Sequence, residues 1–235
     1  MKNKKALTLS LVIPVYDEER QINACLKAIQ KQTVVPNEVI VVDNNCGDKT
    51  IKIAKSFSFV KILYEPKQGI VYARNKGFDA AKSDIIGRID ADTIIDPNWT
   101  KNVIKFFSGN SSAAAVSGST TIRDWRGKLL LYWGHRIIYY WVSWMFLGHR
   151  TLFGSSMAIR RSTWQQVHHT VCLRTDIHED MDLSIHCKKN GLRIYFSDQL
   201  HASISPRRIM HMWHYPKMWV KTKLVHYLLP RRTSK

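Results

Sequence analysis

A chain of 235 residues, 45% of them hydrophobic, can bury a full core and sits near the upper end of what one domain holds. Its formal net charge of +18 is too large to be incidental and calls for an anionic partner: nucleic acid, anionic lipid or a phosphate-bearing substrate. Cys25, Cys46, Cys172 and Cys187 form no CxxC pair and no ligand-like spacing, which argues against a zinc site or a disulfide framework and makes reduced thiols in the cytoplasm the simplest reading.

The first strand is predicted over Leu7 to Val15, an apolar stretch that follows lysines as a signal peptide would. No small-residue cleavage site comes after it, only Asp17, Glu18 and Glu19. Ile22, Leu26 and Ile29 recur at helix spacing within Glu19 to Gln32, and strand-like apolar runs return at Glu38 to Val42, Val60 to Tyr64 and Ile85 to Ile89. Further helices are predicted over Lys49 to Ser56 and Ile70 to Ala81. Alternating strands and helices imply a parallel sheet with helices on both faces.

In open sheets of this kind ligands bind outside the carboxyl ends of the strands, and polar residues collect there in this sequence. Pro14-Val15-Tyr16-Asp17 follows the first strand, Asp43-Asn44-Asn45 the second, Glu65-Pro66 the third and Asp90-Ala91-Asp92 the fourth. Asp90 and Asp92 can both turn toward one hard cation, Mg2+ or Mn2+, whose shell diphosphate oxygens and water would complete. A solvated acidic loop is the plainer alternative. No Gly-x-Gly-x-x-Gly follows the first strand and no phosphate-binding Gly-x4-Gly-Lys-Ser/Thr occurs, so a dinucleotide oxidoreductase and a P-loop enzyme are both unsupported.

Arg74 stands early in a predicted helix near the same edge, where an ordinary solvated arginine is the competing reading. His178-Glu179-Asp180-Met181-Asp182 opens another helical segment. Acids at a helix start satisfy the macrodipole, but three carboxylates in four positions exceed what a cap requires, and one could accept the proton of an attacking hydroxyl.

Taken together and in order, Pro14-Val15-Tyr16-Asp17-Glu18, Val41-Val42-Asp43-Asn44-Asn45, Ala73-Arg74-Asn75-Lys76-Gly77, Asp90-Ala91-Asp92, Gly154-Ser155-Ser156-Met157-Ala158-Ile159-Arg160-Arg161 and Glu179-Asp180 resemble the family 2 glycosyltransferases of GT-A fold over residues 7–208. The resemblance implies a GT-A-like, Rossmann-like α/β domain over residues 1–208, with a mostly parallel sheet flanked by helices. A basic, aromatic-rich C-terminal extension over residues 209–235 completes the chain. It also implies an inverting, metal-dependent transfer of a hexose from a UDP- or GDP-linked donor to an acceptor hydroxyl. Pro14, Tyr16 and Glu18 would belong to the nucleotide-sugar site, with Tyr16 against the base, Asp43 bonded to its edge and Arg74 nearby. Asp90 would contact the ribose or phosphates, Asp92 the metal, and Asp180 would be the general base, with Glu179 as its alternative. Gly154, Ser155 and Ser156 would face the acceptor. Ser205-Pro-Arg-Arg208 resembles a basic motif of relatives, so that Arg207 or Arg208 would close over the diphosphate; a surface basic patch is the alternative. Asn44 departs from the family's usual Asp-Asp-Gly-Ser, and residues 162–175 depart from its usual Gly-Gly-Phe.

Charge is distributed unevenly. Residues 1–100 hold 15 basic against 12 acidic residues, a net of +3, and the remainder holds 21 against 6, a net of +15. Neither Trp125 to Thr175 nor the chain after Asp198 contains an acid. Trp125, Trp133, Tyr139, Tyr140, Trp141 and Trp144 stand among Arg126, Lys128, Arg136 and Arg150, and Trp213, Tyr215, Trp219 and Tyr227 stand among tail lysines and arginines. Amphipathic rings interleaved with cations suit a bilayer headgroup layer, so a peripheral position on the cytoplasmic face of a membrane and a lipid-linked or glycan acceptor are expected. The uncharged run Ile137 to Leu147 falls short of the roughly 20 residues needed to span a bilayer. An internal helix or a homodimer interface are alternative readings of the aromatic segment. A nucleic-acid-binding module is the rival function, disfavoured by the front-half motifs, and a sugar nucleotidyltransferase is the rival enzyme, disfavoured by the lack of its glycine-rich first loop.

Overall fold

The computed structural model describes residues 6–123, 141, 143–207 and 215–228. Four short strands, β1 (Leu9–Val15), β2 (Glu38–Asp43), β3 (Val60–Tyr64) and β4 (Ile85–Arg88), run parallel in the order β3-β2-β1-β4. Val15 is level with Asp43 and Asp43 with Tyr64, so these strands end along one edge.

Alternation along β1 builds two cores. Leu9, Leu11, Ile13 and Val15 point into one, against Ile22, Leu26 and Ile29 of α1 (Ile22–Gln30) and Trp99, Val103 and Phe107 of α4 (Trp99–Gly109). Val12 points into the other, with Ile40, Val42, Ile86 and the side chains of α3 (Ile70–Ala80). α3 can lie this close because Gly77 faces the strand: a Cβ there would come within 2.3 Å of Val12 Cγ1. A short α2 (Thr50–Ala54) completes the front half.

The predicted parallel sheet with helices on both faces is therefore present, with boundary shifts that have local causes. α1 begins at Ile22 rather than Glu19 because the preceding turn is held elsewhere: Glu18 N–H donates to Thr50 Oγ1 at 2.7 Å and Glu19 N–H to Asp48 Oδ2 at 3.0 Å.

The back half extends the sheet through β5 (Ile94–Ile95), β6 (Ala113–Ile122), β7 (Met157–Arg160) and β8 (Arg193–Ile204), giving the eight-stranded order β3-β2-β1-β4-β7-β6-β8-β5. β7 runs antiparallel between β4 and β6, and β5 antiparallel beside β8, whereas β6 and β8 are parallel. The inserted β7 carries the chain from Gly154 directly onto the end of β4. Around it lie α5 (Ser143–Leu147), α6 (Arg161–Val167), α7 (Glu179–Lys189) and α8 (Tyr215–Lys223), the last running into a π-helical turn at Leu224–Leu228. His178 N–H donates to Thr222 Oγ1 at 3.0 Å and Lys221 Nζ pairs with Asp176 at 2.6 Å, so the described C-terminal residues pack on the start of α7.

Most of the aromatic stretch Trp125 to Phe153 before Trp141 lies outside the described residues, as do residues 209–214 and 229–235 of the expected extension. Among the described residues no helix is long and apolar enough to cross a membrane.

Candidate active site

At the end of β4 the apolar run breaks with Arg88, which is 1% exposed. A buried guanidinium needs counter-charges, and three carboxylates supply them. Arg88 Nη2 lies 3.1 Å from Asp90 Oδ1, Nη1 lies 2.8 Å from Glu179 Oε1, and Nη1 also donates to Asp180 Oδ1. Burial alone would weaken the guanidinium's charge, but Asp180, Glu179 and Asp90 outweigh it and push its pKa up.

The segment before β7 closes the far side of this cluster. Gly154 N–H donates to Asp180 Oδ2 at 2.7 Å, Ser155 Oγ to Asp90 Oδ2 at 2.6 Å, and Ser156 Oγ to the Leu200 carbonyl at 2.8 Å. Trp99 Nε1 donates to Ser156 Oγ at 2.9 Å. Position 154 has to be glycine on spatial grounds, since a Cβ would fall 2.3 to 2.6 Å from three atoms of the Arg88 guanidinium.

Arg74, one turn into α3, is fully buried and no solvated helix residue. Its Nη1 donates to the Glu179 carbonyl at 3.0 Å and its Nε to Asn75 Oδ1 at 3.0 Å, while Nη2 has no hydrogen-bond partner among the described residues.

Adjacent acids at the start of α7 are driven apart electrostatically. Burial acts to raise both. At Glu179 the opposing fields of Arg88, His178 and Arg74 win and the carboxyl is held below its ordinary value. At Asp180 burial, reinforced by the neighbouring charge of Glu179, outweighs Arg88 and pushes the carboxyl up to about 6.

Sequence reading placed Tyr16, Glu18 and Asp43 on the neighbouring strand ends, and they stand there. Tyr16 is 54% exposed, next to Asp17 in the left-handed region at φ 50°. Pro14 lies opposite Val42 in the ladder. Asp43 Oδ1 accepts the Cys46 N–H at 2.9 Å. Asn44, the departure from the usual motif, is buried and acts as a tether. Its Nδ2 donates to the carbonyls of Glu65 and Lys67 at 3.0 and 2.8 Å, and its Oδ1 accepts the Gly69 N–H at 2.8 Å, fixing the loop that leads into α3. Glu18 pairs with Arg207, which draws the segment after β8 over the first strand end; Arg208 lies outside the described residues.

Asp92 is 4% exposed and its carbonyl accepts from Arg123 Nη2 at 2.9 Å, a guanidinium that also holds Gln21 Oε1 at 3.0 Å. The donor chemistry of Asp92 fits a hard dication, since a buried carboxylate beyond the end of β4 offers the oxygen such an ion prefers. Asp90 and Asp180, by contrast, each have both oxygens engaged, Asp90 by Arg88 and Ser155 and Asp180 by Arg88 and the Gly154 amide.

The structure thus brings Asp90, Gly154, Ser155, Glu179 and Asp180 together around Arg88, with Arg74 on the backbone of Glu179 and Ser156 anchoring the segment from behind. Arg88 itself was missed, as were Trp99 and the tethering role of Asn44. The available signal was the charge at position 88, which interrupts an otherwise apolar strand whose neighbours are all buried.

A family model described as "Glycosyl transferase family 2" matches residues 10–166. Among curated relatives, the putative glycosyltransferase EpsH of Bacillus subtilis is 31% identical over 101 residues, covering 41% of this chain and 29% of that protein. The glycosyltransferase AglE of Haloferax volcanii is 36% identical over 108 residues, covering 43% and 36%. The matched stretch is therefore only about a third of each relative's length. Among solved structures, the Pyrobaculum calidifontis mannosyltransferase PcManGT in complex with GDP-Man and Mn2+ superposes with a TM-score of 0.73 at 19% identity, over 93% of this chain and 64% of that one. Staphylococcus aureus TarS 1-349 in complex with UDP-GlcNAc superposes with a TM-score of 0.68 at 21% identity, over 86% and 59%. These likenesses concern the GT-A fold.

Proposed function

Because the chain belongs to glycosyl transferase family 2, we propose that it is an inverting transferase that moves a hexose from a UDP- or GDP-linked donor to an acceptor hydroxyl, with Asp180 as general base. The observation that carries this reading is the placement of Asp180, buried at the start of α7 and oriented by Arg88 and the Gly154 amide, where burial raises its carboxyl above the ordinary value as a base requires. Asp180 takes the acceptor's proton, the freed oxygen attacks the anomeric carbon, and the bond to the diphosphate breaks on the opposite face with its electron pair leaving on the phosphate oxygen. Arg88 and the Gly154 amide hold Asp180 in one orientation throughout.

Asp92 would hold the divalent cation. When bound, Mg2+ or Mn2+ would neutralise charge developing on the departing nucleoside diphosphate. Tyr16 would stack on the base with Asp43 at its edge, and Arg207, brought across by Glu18, would cover the diphosphate. Gly154 and Ser155 would border the acceptor, whereas Ser156, expected from sequence to do so, is buried behind them on Trp99 and the Leu200 carbonyl.

The acceptor in this reading is lipid-linked or otherwise presented at the cytoplasmic face of a membrane. Supporting it are the net +15 after residue 100 and the exposed Trp141, Trp144 and Met145 at 62, 49 and 67%, a small apolar patch close in sequence to Gly154. Liposome flotation tests the membrane part: binding should rise with anionic lipid, fall with salt and fall in Trp141→Ser/Trp144→Ser. No binding at low salt would make a soluble acceptor the better reading.

Calorimetric titration of the full chain with UDP and GDP, with and without Mn2+, tests the enzyme reading. Metal-linked nucleotide binding that Asp92→Ala weakens is expected. Its absence, together with tight salt-sensitive oligonucleotide binding, would transfer the assignment to a nucleic-acid module.

A further inference from the structure

Two residues beyond Asp180, α7 carries a third acid whose partners are wholly different. Asp182 is fully buried; its Oδ2 accepts the Cys172 backbone N–H at 3.1 Å, and its Oδ1 lies 2.7 Å from His226 Nε2 and 3.4 Å from His186 Nε2. Cys172 Sγ stands 3.9 Å from the same His226 nitrogen. His186 is 7% exposed, and its Nε2, though aimed at this group, makes no hydrogen bond. One donor atom from each of the four residues lies within 4.8 Å of the other three.

We infer that Cys172, Asp182, His186 and His226 form a four-ligand site for a zinc-class divalent cation, which pins the C-terminal segment to the helix that carries Asp180.

The donor set selects the metal class. A thiolate, two imidazole nitrogens and one carboxylate oxygen are borderline-soft ligands suited to zinc, unlike the hard oxygens proposed at Asp92. Bond lengths of about 2.0 to 2.3 Å to such ligands give tetrahedral edges of roughly 3.3 to 3.7 Å. The Asp182–His186 separation of 3.4 Å already matches, the Cys172–His226 separation of 3.9 Å needs only slight contraction, and the 2.7 Å Asp182–His226 hydrogen bond opens by about half an ångström as the cation replaces the shared proton.

Charge balances as well: thiolate and carboxylate together neutralise a dication in a largely buried place, once the Cys172 thiol has released its proton to solvent and His226 has moved its proton from Nε2 to Nδ1. Four protein ligands close the coordination sphere, which assigns the ion a structural role. Lys189 Nζ, 3.5 Å from His226 Nδ1 and 3.2 Å from its carbonyl, then keeps to the carbonyl. Linear spacing conceals the site because the ligands come from three segments: the loop before α7, one face of α7 at i and i+4, and the π-helical turn.

The test uses cobalt(II) and zinc on the purified full chain. One equivalent of cobalt should produce visible ligand-field bands and a near-ultraviolet thiolate charge-transfer band, both abolished by zinc, and dialysed protein should retain one zinc per chain and melt at a higher temperature than the chelated form. His226→Gln, which keeps an N–H for Asp182 and so preserves the hydrogen bond, should lose the bands, as should Cys172→Ser, whereas Asp92→Ala should keep them. Absence of the bands in the wild-type chain, or their persistence in folded His226→Gln, would overturn the site and leave the four residues as a hydrogen-bonded cluster.

Discussion

Replacing Arg88 by methionine keeps most of the side chain's volume and removes the one charge that three buried carboxylates share. Asp90, Glu179 and Asp180 have side chains only 8, 9 and 6% exposed, so solvent cannot substitute for the guanidinium. Breaking a buried pair by deleting one partner costs about 3–5 kcal/mol, a large part of the roughly 5–15 kcal/mol that stabilises a domain. The variant's cheapest response is to protonate a carboxylate. With an unfolded-state pKa near 4, neutralising one costs about 4 kcal/mol at about pH 7 and about 2 kcal/mol at about pH 5.5. The sign follows from linkage: the folded variant binds more protons than its unfolded chain, so its stability falls as pH rises between the unfolded value and the raised folded one. Urea unfolding of both proteins should therefore show a deficit of about 3–5 kcal/mol at about pH 7 that shrinks by about 1 kcal/mol at about pH 5.5, because the raised Asp180 of the wild type also takes up protons over that range. A deficit below about 1 kcal/mol, or one that does not change with pH, would refute the claim that Arg88 is the electrostatic centre of the site.

Asp180→Asn should bind nucleotide and metal normally while kcat drops about 10²–10⁴-fold, and wild-type turnover in the variant would remove Asp180 from the mechanism. In the wild-type enzyme kcat/KM should climb through about pH 6 as Asp180 loses its proton, and a flat profile between about pH 5 and 7 would contradict the raised value. Gly154→Ala should destabilise by about 1–3 kcal/mol in thermal or urea unfolding, because the new methyl displaces the Arg88 guanidinium; a neutral outcome would mean the segment before β7 gives way freely. Asn44→Ala, which removes three hydrogen bonds from the loop at residues 65–69, should cost about 2–3 kcal/mol and expose that loop to limited proteolysis, whereas undiminished stability would deny the tether.

Much of the front half could be read because its signals are local. β-branched runs mark β1 to β4, the helical recurrence of Ile22, Leu26 and Ile29 marks α1, and the rule that ligands gather at strand ends points to Tyr16, Asp43 and Asp90, which follow or end parallel strands of one sheet. Helix starts were less legible, since the first turn before α1 is claimed by Asp48 and Thr50, residues about 30 positions away. Arg88 escaped because its meaning lies in partners 91 and 92 positions downstream: a single cation in a strand is ambiguous until the fold delivers Glu179 and Asp180 to it. The same limit hid the sulfur and imidazole ligands around Asp182, which read only as a helix-start acid until Cys172 and His226 arrive from separate segments. The strands β6 and β8 of the back half carry too little alternation to declare themselves, being nearly wholly buried in one case and half-exposed in the other.

The dependence of Arg88 on distant counter-ions also says where the chain can be cut. The stretch that matches the family model ends at residue 166, yet two of the three carboxylates that make Arg88 tolerable inside the protein lie beyond it, at 179 and 180. A fragment trimmed to the recognisable region would keep the cation with Asp90 alone of its three carboxylates, so β4 and β7 would meet beside a guanidinium that has lost most of its neutralising charge. During synthesis the same constraint makes the two halves interdependent: the strand laid down first cannot take its final environment until α7 has emerged. In this chain the stretch that completes the surroundings of Arg88 is therefore longer than the stretch of recognisable similarity.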